Sequence, residues 1–434
     1  MGTTSLWHDE LFSIVHYSAK GPLFTMTSQS YSPNNHIFFN LLNSITPGHD
    51  RFDPVRARFW SWVFVILTFF LIIVSQAWAG QLFEGSFQSF LLLANLSNLD
   101  LLLQGRGYSV LGFAAVLCGI LTWHYFRKPS LLSLVGMAIA VWLGTWSVPT
   151  FFLFGASLFL TLLIYTRDPR WLVSGGLAAA LIALVYWPVH SSVLWWARNY
   201  TAQGGRKHFA TWSAIGDIFS DYLCFGASNW LTFLVVALVI VAFLLGRIAS
   251  PAEKTSLCLG LAMLLAFTVC LRMETPIQRT MAFTVLPFAF ILTTLLTRLL
   301  RMPASRWLRH SIRFAIALLV LLFAVHVRST FRFVPFEAWR ETARAVEHRF
   351  PKGTEVVAQF RPQWLRIYLS ADYPLTKQFD TAKFMAGKQI VVDSAFLPKD
   401  RFQVGNLPQG YALKTVSQRR GGKQTIYFWR PTES

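Results

Sequence analysis

Long apolar runs limit what this chain can fold into more than any other feature. Residues 59–79, 83–101, 107–126, 131–147, 149–165, 171–190, 229–246, 256–271, 281–298 and 313–327 are predominantly apolar. Each approaches the roughly 17–25 residues that a helix needs to cross a bilayer. Backbone groups inside hydrocarbon must satisfy one another, so such runs predict helices rather than open strands. Only 14% of the residues are charged and 54% are apolar, whereas a soluble domain carries roughly 25% charged residues. The fold class expected is an α-helical polytopic membrane protein, with about ten spans over residues 59–330 and polar breaks such as Ser147-Val148-Pro149 between them. Cys118, Cys224, Cys258 and Cys270 are too few and too scattered for a disulfide framework. Three of them lie in apolar runs, and all read as core residues.

The formal net charge is +19. On a soluble chain this would suggest nucleic acid, but in a membrane protein Lys and Arg collect in cytoplasmic loops. With the amino terminus outside, the cytoplasmic loops hold Arg127, Lys128, Arg167, Arg170, Arg247, Lys254, Arg298, Arg301, Arg306, Arg309 and Arg313, against Asp168 and Glu253. The opposite short loops hold only Arg106, Arg272 and Arg279, with Glu274. Residues 1–58, the loop 191–228 and the tail then face outward. An even number of spans leaves the amino terminus to be translocated without a hydrophobic signal, since Met1 to Asp9 supplies none. The expectation is that a first transmembrane helix is missing from this chain.

Composition changes near residue 331. Short apolar patterns predict a helix over Glu337–Arg349, strands over Glu355–Phe360 and Gln389–Asp393, and a final strand pair at Tyr411–Val416 and Gln424–Trp429. Residues 331–434 are read as a small extracytoplasmic α/β domain, in which cations outnumber acids by about two to one. No glycine-rich phosphate loop or aromatic RNA-binding signature occurs, so no nucleic acid is expected. Lipid phosphates or an anionic polysaccharide suit this surface, as does simple solvation.

Two polar elements precede the first visible span. Ser5-Leu6-Trp7-His8-Asp9-Glu10-Leu11-Phe12-Ser13 sets adjacent carboxylates at a membrane surface. Helical neighbours point about 100° apart, so one carboxylate acts while the other orients or caps. Tyr31-Ser32-Pro33-Asn34-Asn35-His36 opens a second element, in which Ser32 can cap and Pro33 suits the first turn. Ile37, Phe38, Leu41, Leu42 and Ile45 form its apolar stripe, with Asn40, Asn43 and Ser44 opposite. This is the pattern of an interfacial helix.

The order of these elements resembles that of a known family. Leu6-Trp7-His8-Asp9-Glu10, Asn34-Asn35-His36, Gln104-Gly105-Arg106-Gly107-Tyr108 at the start of a span, and Gln278-Arg279 with Pro287 near a late one are similar to motifs of the polytopic GT-C glycosyltransferases. The likeness is to the bacterial enzymes related to protein O-mannosyltransferases and to the transferase that adds aminoarabinose to lipid A, over roughly residues 5–330. In that family the Asp-Glu pair follows the first transmembrane helix.

The resemblance implies transfer of one sugar from a polyprenyl-phosphate carrier to a lipid, glycan or protein acceptor at the outer face of the plasma (inner) membrane of a bacterium. It assigns Asp9 as the general base toward the acceptor hydroxyl, with inversion, and Glu10 as its partner. The departing phosphate gathers negative charge and needs cations or donors. Arg106, beside Tyr108, and Arg279 stand at the outer ends of spans, where a guanidinium can fork onto phosphate oxygens. Ordinary snorkelling to lipid headgroups explains them equally. Asn35 and His36 are candidates for substrate binding, with hydrogen bonding at a helix start as the plainer role. In the outer loop, Trp195, Trp196 and Gly204-Gly205-Arg206-Lys207-His208 suit a segment that closes over the lipid carrier, with Lys207 toward its phosphate; they suit an aromatic belt as well. Many relatives carry an acid directly before the span-opening arginine, where this chain has Gly105, so any task of that acid is in doubt here. His8, Asp9, Glu10, His16 and His36 match no zinc or calcium spacing, so no cofactor is expected and a divalent ion is the one candidate. The alternatives are a transporter or flippase for a lipid-linked or polar solute, and a family member that binds the carrier without turnover. Transporters hold ionisable residues near the midplane or on paired repeats, and neither is found.

Overall fold

The computed structural model describes residues 6, 8–28, 35–47, 52–78, 102–199, 254, 258–262, 339–358, 362–394, 411–416 and 424–429. The runs 83–101, 229–246, 281–298 and 313–327, and most of 256–271, lie outside these residues. The chain divides into two compact units. One comprises Met1–Ile14, Gly48–Ala57 and Arg332–Ser434, with most of helix α1 (His8–His16) and the one-turn helix α4 (Pro54–Ala57), and the other comprises Val15–Pro47 and Arg58–Phe331.

The second unit is helical. After the short helix α2 (Pro22–Thr27) and helix α3 (Ile37–Ile45), the apolar helices α5 (Phe59–Trp78), α6 (Tyr108–Arg127), α7 (Leu131–Ser147), α8 (Phe151–Thr166) and α9 (Arg170–Tyr186) follow, α9 continuing through a 3-10 turn into α10 (His190–Asn199); α5, α6 and the continuous α9–α10 stretch are long and apolar enough to cross a membrane. In all five the apolar run and the helix coincide to within a few residues. Ser130 caps α7, its hydroxyl accepting from the Ser133 amide at 3.2 Å. A single turn at Val148-Pro149-Thr150 reverses the chain into α8, because Pro149 cannot continue the ladder. There Gly144 and Gly155 leave no room for a Cβ against Phe151 and Val141, the close approach that small residues give helices in a bilayer. Cys118, Met137, Ala138, Leu158 and Trp171 form part of the common core. On the outside, Ile66, Phe70, Leu160, Ile164, Leu172 and Val173 are each more than half exposed. An apolar surface of that extent belongs against lipid, and the chain is an integral membrane protein.

At the end of the bundle where α6 stops and α9 begins, the α8–α9 turn sets Arg167 in the left-handed conformation, φ 54°. Asp168 then accepts from the Arg170 guanidinium, with Nη2 at 2.7 Å, and from the Tyr125 hydroxyl. The Arg170 hydrogen bond, opposed by partial burial and aided by Tyr125, holds the Asp168 carboxyl well below the usual range. A depressed carboxyl stabilises the fold wherever it is ionised, and that contribution disappears only as pH falls through the depressed value. Asp168→Asn is therefore expected to cost about 1 kcal/mol at neutral pH. Melting in detergent checks this: the gap to wild type should hold constant down to about pH 4 and close only in stronger acid.

The carboxy-terminal part of the first unit is α/β. Helix α11 (Trp339–Arg349) is followed by β1 (Glu355–Ala358), α12 (Pro362–Tyr368), β2 (Leu375–Thr376), α13 (Thr381–Met385), β3 (Gln389–Ser394), β4 (Tyr411–Val416) and β5 (Gln424–Trp429). The sheet order is β2-β1-β3-β5-β4, with β1 parallel to β2 and β3, and β5 antiparallel to β3 and β4. Val356, Val357 and Ala358 are buried, as expected of a strand covered on both faces. The predicted helix and strands are present, while α12, β2 and α13 are additional; each is too short to leave a periodic signal. Asp380 caps α13, accepting from the amides of Ala382 at 2.9 Å and Lys383 at 3.2 Å.

Three expectations are corrected. Cys258 is exposed rather than part of a core, while Cys118 is buried; Cys224 and Cys270 lie outside the described residues. Helix α3 starts after His36, which holds the N-cap position, so Ser32 and Pro33 do not open it. Asn40 is also not on a wet face. It is 1% exposed and donates to Asn35 Oδ1 at 2.9 Å, an inward hydrogen bond that outweighs its polar character.

Candidate active site

In the first unit the carboxylates stand at the start of α1 (His8–His16). Asp9 and Glu10 occupy its first turn, where the positive end of the helix dipole favours anions. Glu10 is fully buried and Asp9 is 9% exposed. Burial next to the apolar Leu6 and Leu11, both 0% exposed, takes the pair out of bulk water while Asp9 keeps an exposed edge. At the far end of α1, burial first and Lys20 second push the His16 imidazole below its ordinary pKa. Among the described residues no group of three or more His, Cys, Asp or Glu is arranged to hold a metal ion.

In the second unit, α5 and α6 lie side by side with their amino termini at one end. The Ser61 hydroxyl donates to the Gln104 carbonyl at 2.5 Å and ties these termini together. Two arginines stand there: Arg58, just before α5, and Arg106, just before α6. Both are almost fully buried, at 2% and 1% exposure. Two buried guanidinium groups beside two helix amino termini are groups of the kind that bind phosphate. Arg106 lies over the Tyr108 ring, 5.2 Å from its centre, and Tyr108 meets His36 edge to face at 5.1 Å. His36 Nδ1–H donates to the Ser147 carbonyl at 2.9 Å, which fixes the proton on Nδ1. Gln104 Oε1 and Ser109 Oγ are buried there with no hydrogen-bond partner among the described residues.

Gly107 holds this junction. A Cβ at Gly107 would lie 2.8 Å from the Ser147 carbonyl oxygen and 2.9 Å from His36 Nδ1. Its φ of −68° suits any residue, so space alone demands glycine. Gly107→Ala is expected to cost about 1–3 kcal/mol by overpacking. Thermal melting measures that loss directly, and a melting temperature equal to wild type would mean that His36 yields freely.

Arg106, Tyr108, Asn35 and His36 thus meet in one unit, and Asp9 and Glu10 belong to the other. Arg279 and Lys207 lie outside the described residues. Sequence reading passed over Arg58, although an arginine directly before an apolar run on the cation-poor side was the available signal. It also passed over Thr145, Ser147 and the tryptophans of α7, which look like ordinary span residues until the helices are packed.

Apolar helices packed as a bundle, with a small α/β domain in the same chain, define a polytopic membrane protein. Two crystal structures share this fold, both of ArnT from Cupriavidus metallidurans, one bound to undecaprenyl phosphate and one in the apo state. Each has a TM-score of 0.54 and 10% sequence identity, with 98% of this chain and 94% of the ArnT chain covered. No family model matches the sequence, and no curated protein matches it. The family resemblance read from the motifs therefore holds at the level of the fold.

Proposed function

We propose that this chain is a membrane glycosyltransferase. It takes a monosaccharide from a polyprenyl-phosphate carrier and delivers it, with inversion, to a lipid, glycan or protein acceptor on the extracytoplasmic face. The observation that carries the reading is the pair of buried arginines, Arg58 and Arg106, at adjacent helix amino termini, in a fold shared with a protein crystallised with undecaprenyl phosphate. Loop charge supports the sidedness, because this end of the bundle is the cation-poor one by sequence.

Asp9 serves as the general base. As the acceptor oxygen bonds to the anomeric carbon, its proton passes to the Asp9 carboxylate and the carbon–oxygen bond to phosphate breaks. The electron pair stays on the carrier phosphate, where Arg106, Arg58 and, by resemblance, Arg279 and Lys207 offset it. Glu10 orients Asp9, Asn35 and His36 contact substrate, and no cofactor takes part. The buried charged groups of the described residues lie at helix ends rather than mid-span, which argues against a transport path.

Carrier binding is the first test. Purified protein in detergent is expected to melt at a higher temperature with undecaprenyl phosphate, equivalent to about 2.7 kcal/mol when the lipid stands at a hundred times its Kd. Undecaprenol, the same polyprenyl chain without phosphate, should give no comparable shift, and equal shifts from both lipids would remove the phosphate site.

A further inference from the structure

The Arg106 end of the bundle contains a second set of polar groups, distinct in character from the arginines. On α7, Trp142, Thr145 and Trp146 fall at the i, i+3 and i+4 spacing of one face, and Ser147 ends the helix. That face packs against the start of α3 through Ile37, Phe38 and Leu41. The two indoles stack at 5.1 Å, and Phe38 lies 5.0 Å from Trp146 on its other contact, so both rings are held in fixed orientation. Tyr186 donates its hydroxyl to the Thr145 carbonyl at 2.9 Å, anchoring this last turn to α9.

Within this region the indole N–H groups of Trp142 and Trp146, the hydroxyls of Thr145 and Ser147, Asn35 Nδ2 and Asn40 Oδ1 are all buried and have no hydrogen-bond partner among the described residues. Thr145, Ser147, Asn35 and Asn40 are each at most 2% exposed, and Trp146 is 8% exposed. Leaving one such group unpaired costs about as much as a lost hydrogen bond, and a native fold tolerates few. Six at the meeting of two short helix ends call for an occupant. The kinds of group limit what it is. Indole N–H can only donate, Asn40 Oδ1 can only accept, and the hydroxyls do both. Reversing both asparagine amides still leaves one donor and one acceptor between them. A phosphate monoester accepts throughout and leaves the acceptor unmet. An ammonium group donates only, and none of these six groups carries the negative charge that it would need. A neutral ring of hydroxyl groups donates and accepts at every position.

We propose that this α3–α7 cluster seats the sugar of the lipid carrier and selects a neutral, hydroxyl-bearing sugar over an amino sugar. The inference rests on the transferase reading, and it adds the chemical class of the donor sugar and the residues that recognise it.

The test uses the full chain in detergent and measures its binding to undecaprenyl phosphate alone, to the same lipid phosphate carrying glucose, mannose or galactose, and to the lipid phosphate carrying a 4-amino-4-deoxypentose. At least one neutral hexosyl lipid is expected to bind about tenfold more tightly than the bare lipid phosphate, and the aminopentosyl lipid no more tightly than it. Trp146→Phe and the near-isosteric Thr145→Val should each erase most of the sugar-dependent gain while bare lipid phosphate binds as before, and melting of the unliganded variants verifies that they fold. The proposal is overturned if no neutral sugar improves binding, if the amino sugar alone does, or if folded Trp146→Phe and Thr145→Val keep the full gain. Failure of the wild type to bind any of the lipid phosphates would instead overturn the transferase reading itself.

Discussion

Asp9→Asn is expected to reduce sugar transfer by about 10²–10⁴-fold, the range that a positioned general base contributes. The acceptor hydroxyl is a poor nucleophile until its proton has somewhere to go. Asparagine copies the shape of aspartate and its hydrogen-bonding oxygen at the start of α1, but it takes no proton at neutral pH. Because Asp9 keeps 9% exposure beside the fully buried Glu10, the substitution leaves the packing of Leu6 and Leu11 in place. Expression, membrane insertion and melting should therefore stay near wild type while kcat falls. Glu10→Ala tests the other member and should lower melting as well, since it opens a void in a fully buried position. Transfer by Asp9→Asn at the wild-type rate would end the assignment of Asp9 as base.

The second large effect is expected at the arginines. Arg106→Ala removes a charge that is 1% exposed, at the amino terminus of α6 and above Tyr108. In such a water-poor place, one preorganised group facing a growing negative charge is worth about 10²–10³-fold in rate. Lysine restores the charge but not the planar fork, so Arg106→Lys should recover only part of the loss. Arg58→Ala is expected to act in the same direction, and the double variant should fall short of the product of the two, because both would meet one phosphate. Carrier affinity should fall together with kcat/KM. Snorkelling to headgroups predicts something else, namely unchanged kcat/KM in Arg106→Ala; a value within threefold of wild type would decide for it.

How much of this was legible in the sequence follows from the range of each interaction. Spans such as Phe59–Trp78 and Leu131–Ser147 were readable nearly to the residue, because hydrocarbon thickness sets helix length locally. The strands of the tail were readable from short alternating runs, whereas the two-residue β2 exists only through its pairing with β1. The motifs single out Asp9, Glu10, Asn35, His36, Arg106 and Tyr108, whereas the ring contacts that join Arg106, Tyr108 and His36 come from packing that no motif contains. Other features depend on contacts between distant segments. The need for glycine at 107 comes from the Ser147 carbonyl and His36, neither nearby in sequence. Asn40 reads as a wet residue until Asn35 is seen to accept its amide. Trp142 and Trp146 resemble any interfacial aromatics until the unpaired N–H groups come to light in the packed bundle.

The central claim is tested most directly by following a radiolabelled sugar supplied on undecaprenyl phosphate to membranes that contain the full chain. The account predicts that label leaves the carrier and appears covalently on an acceptor with the wild type, that free undecaprenyl phosphate accumulates in step, and that neither occurs with Asp9→Asn. Label that merely crosses the membrane while still attached to the carrier, or that moves to acceptor equally well with Asp9→Asn, would contradict it.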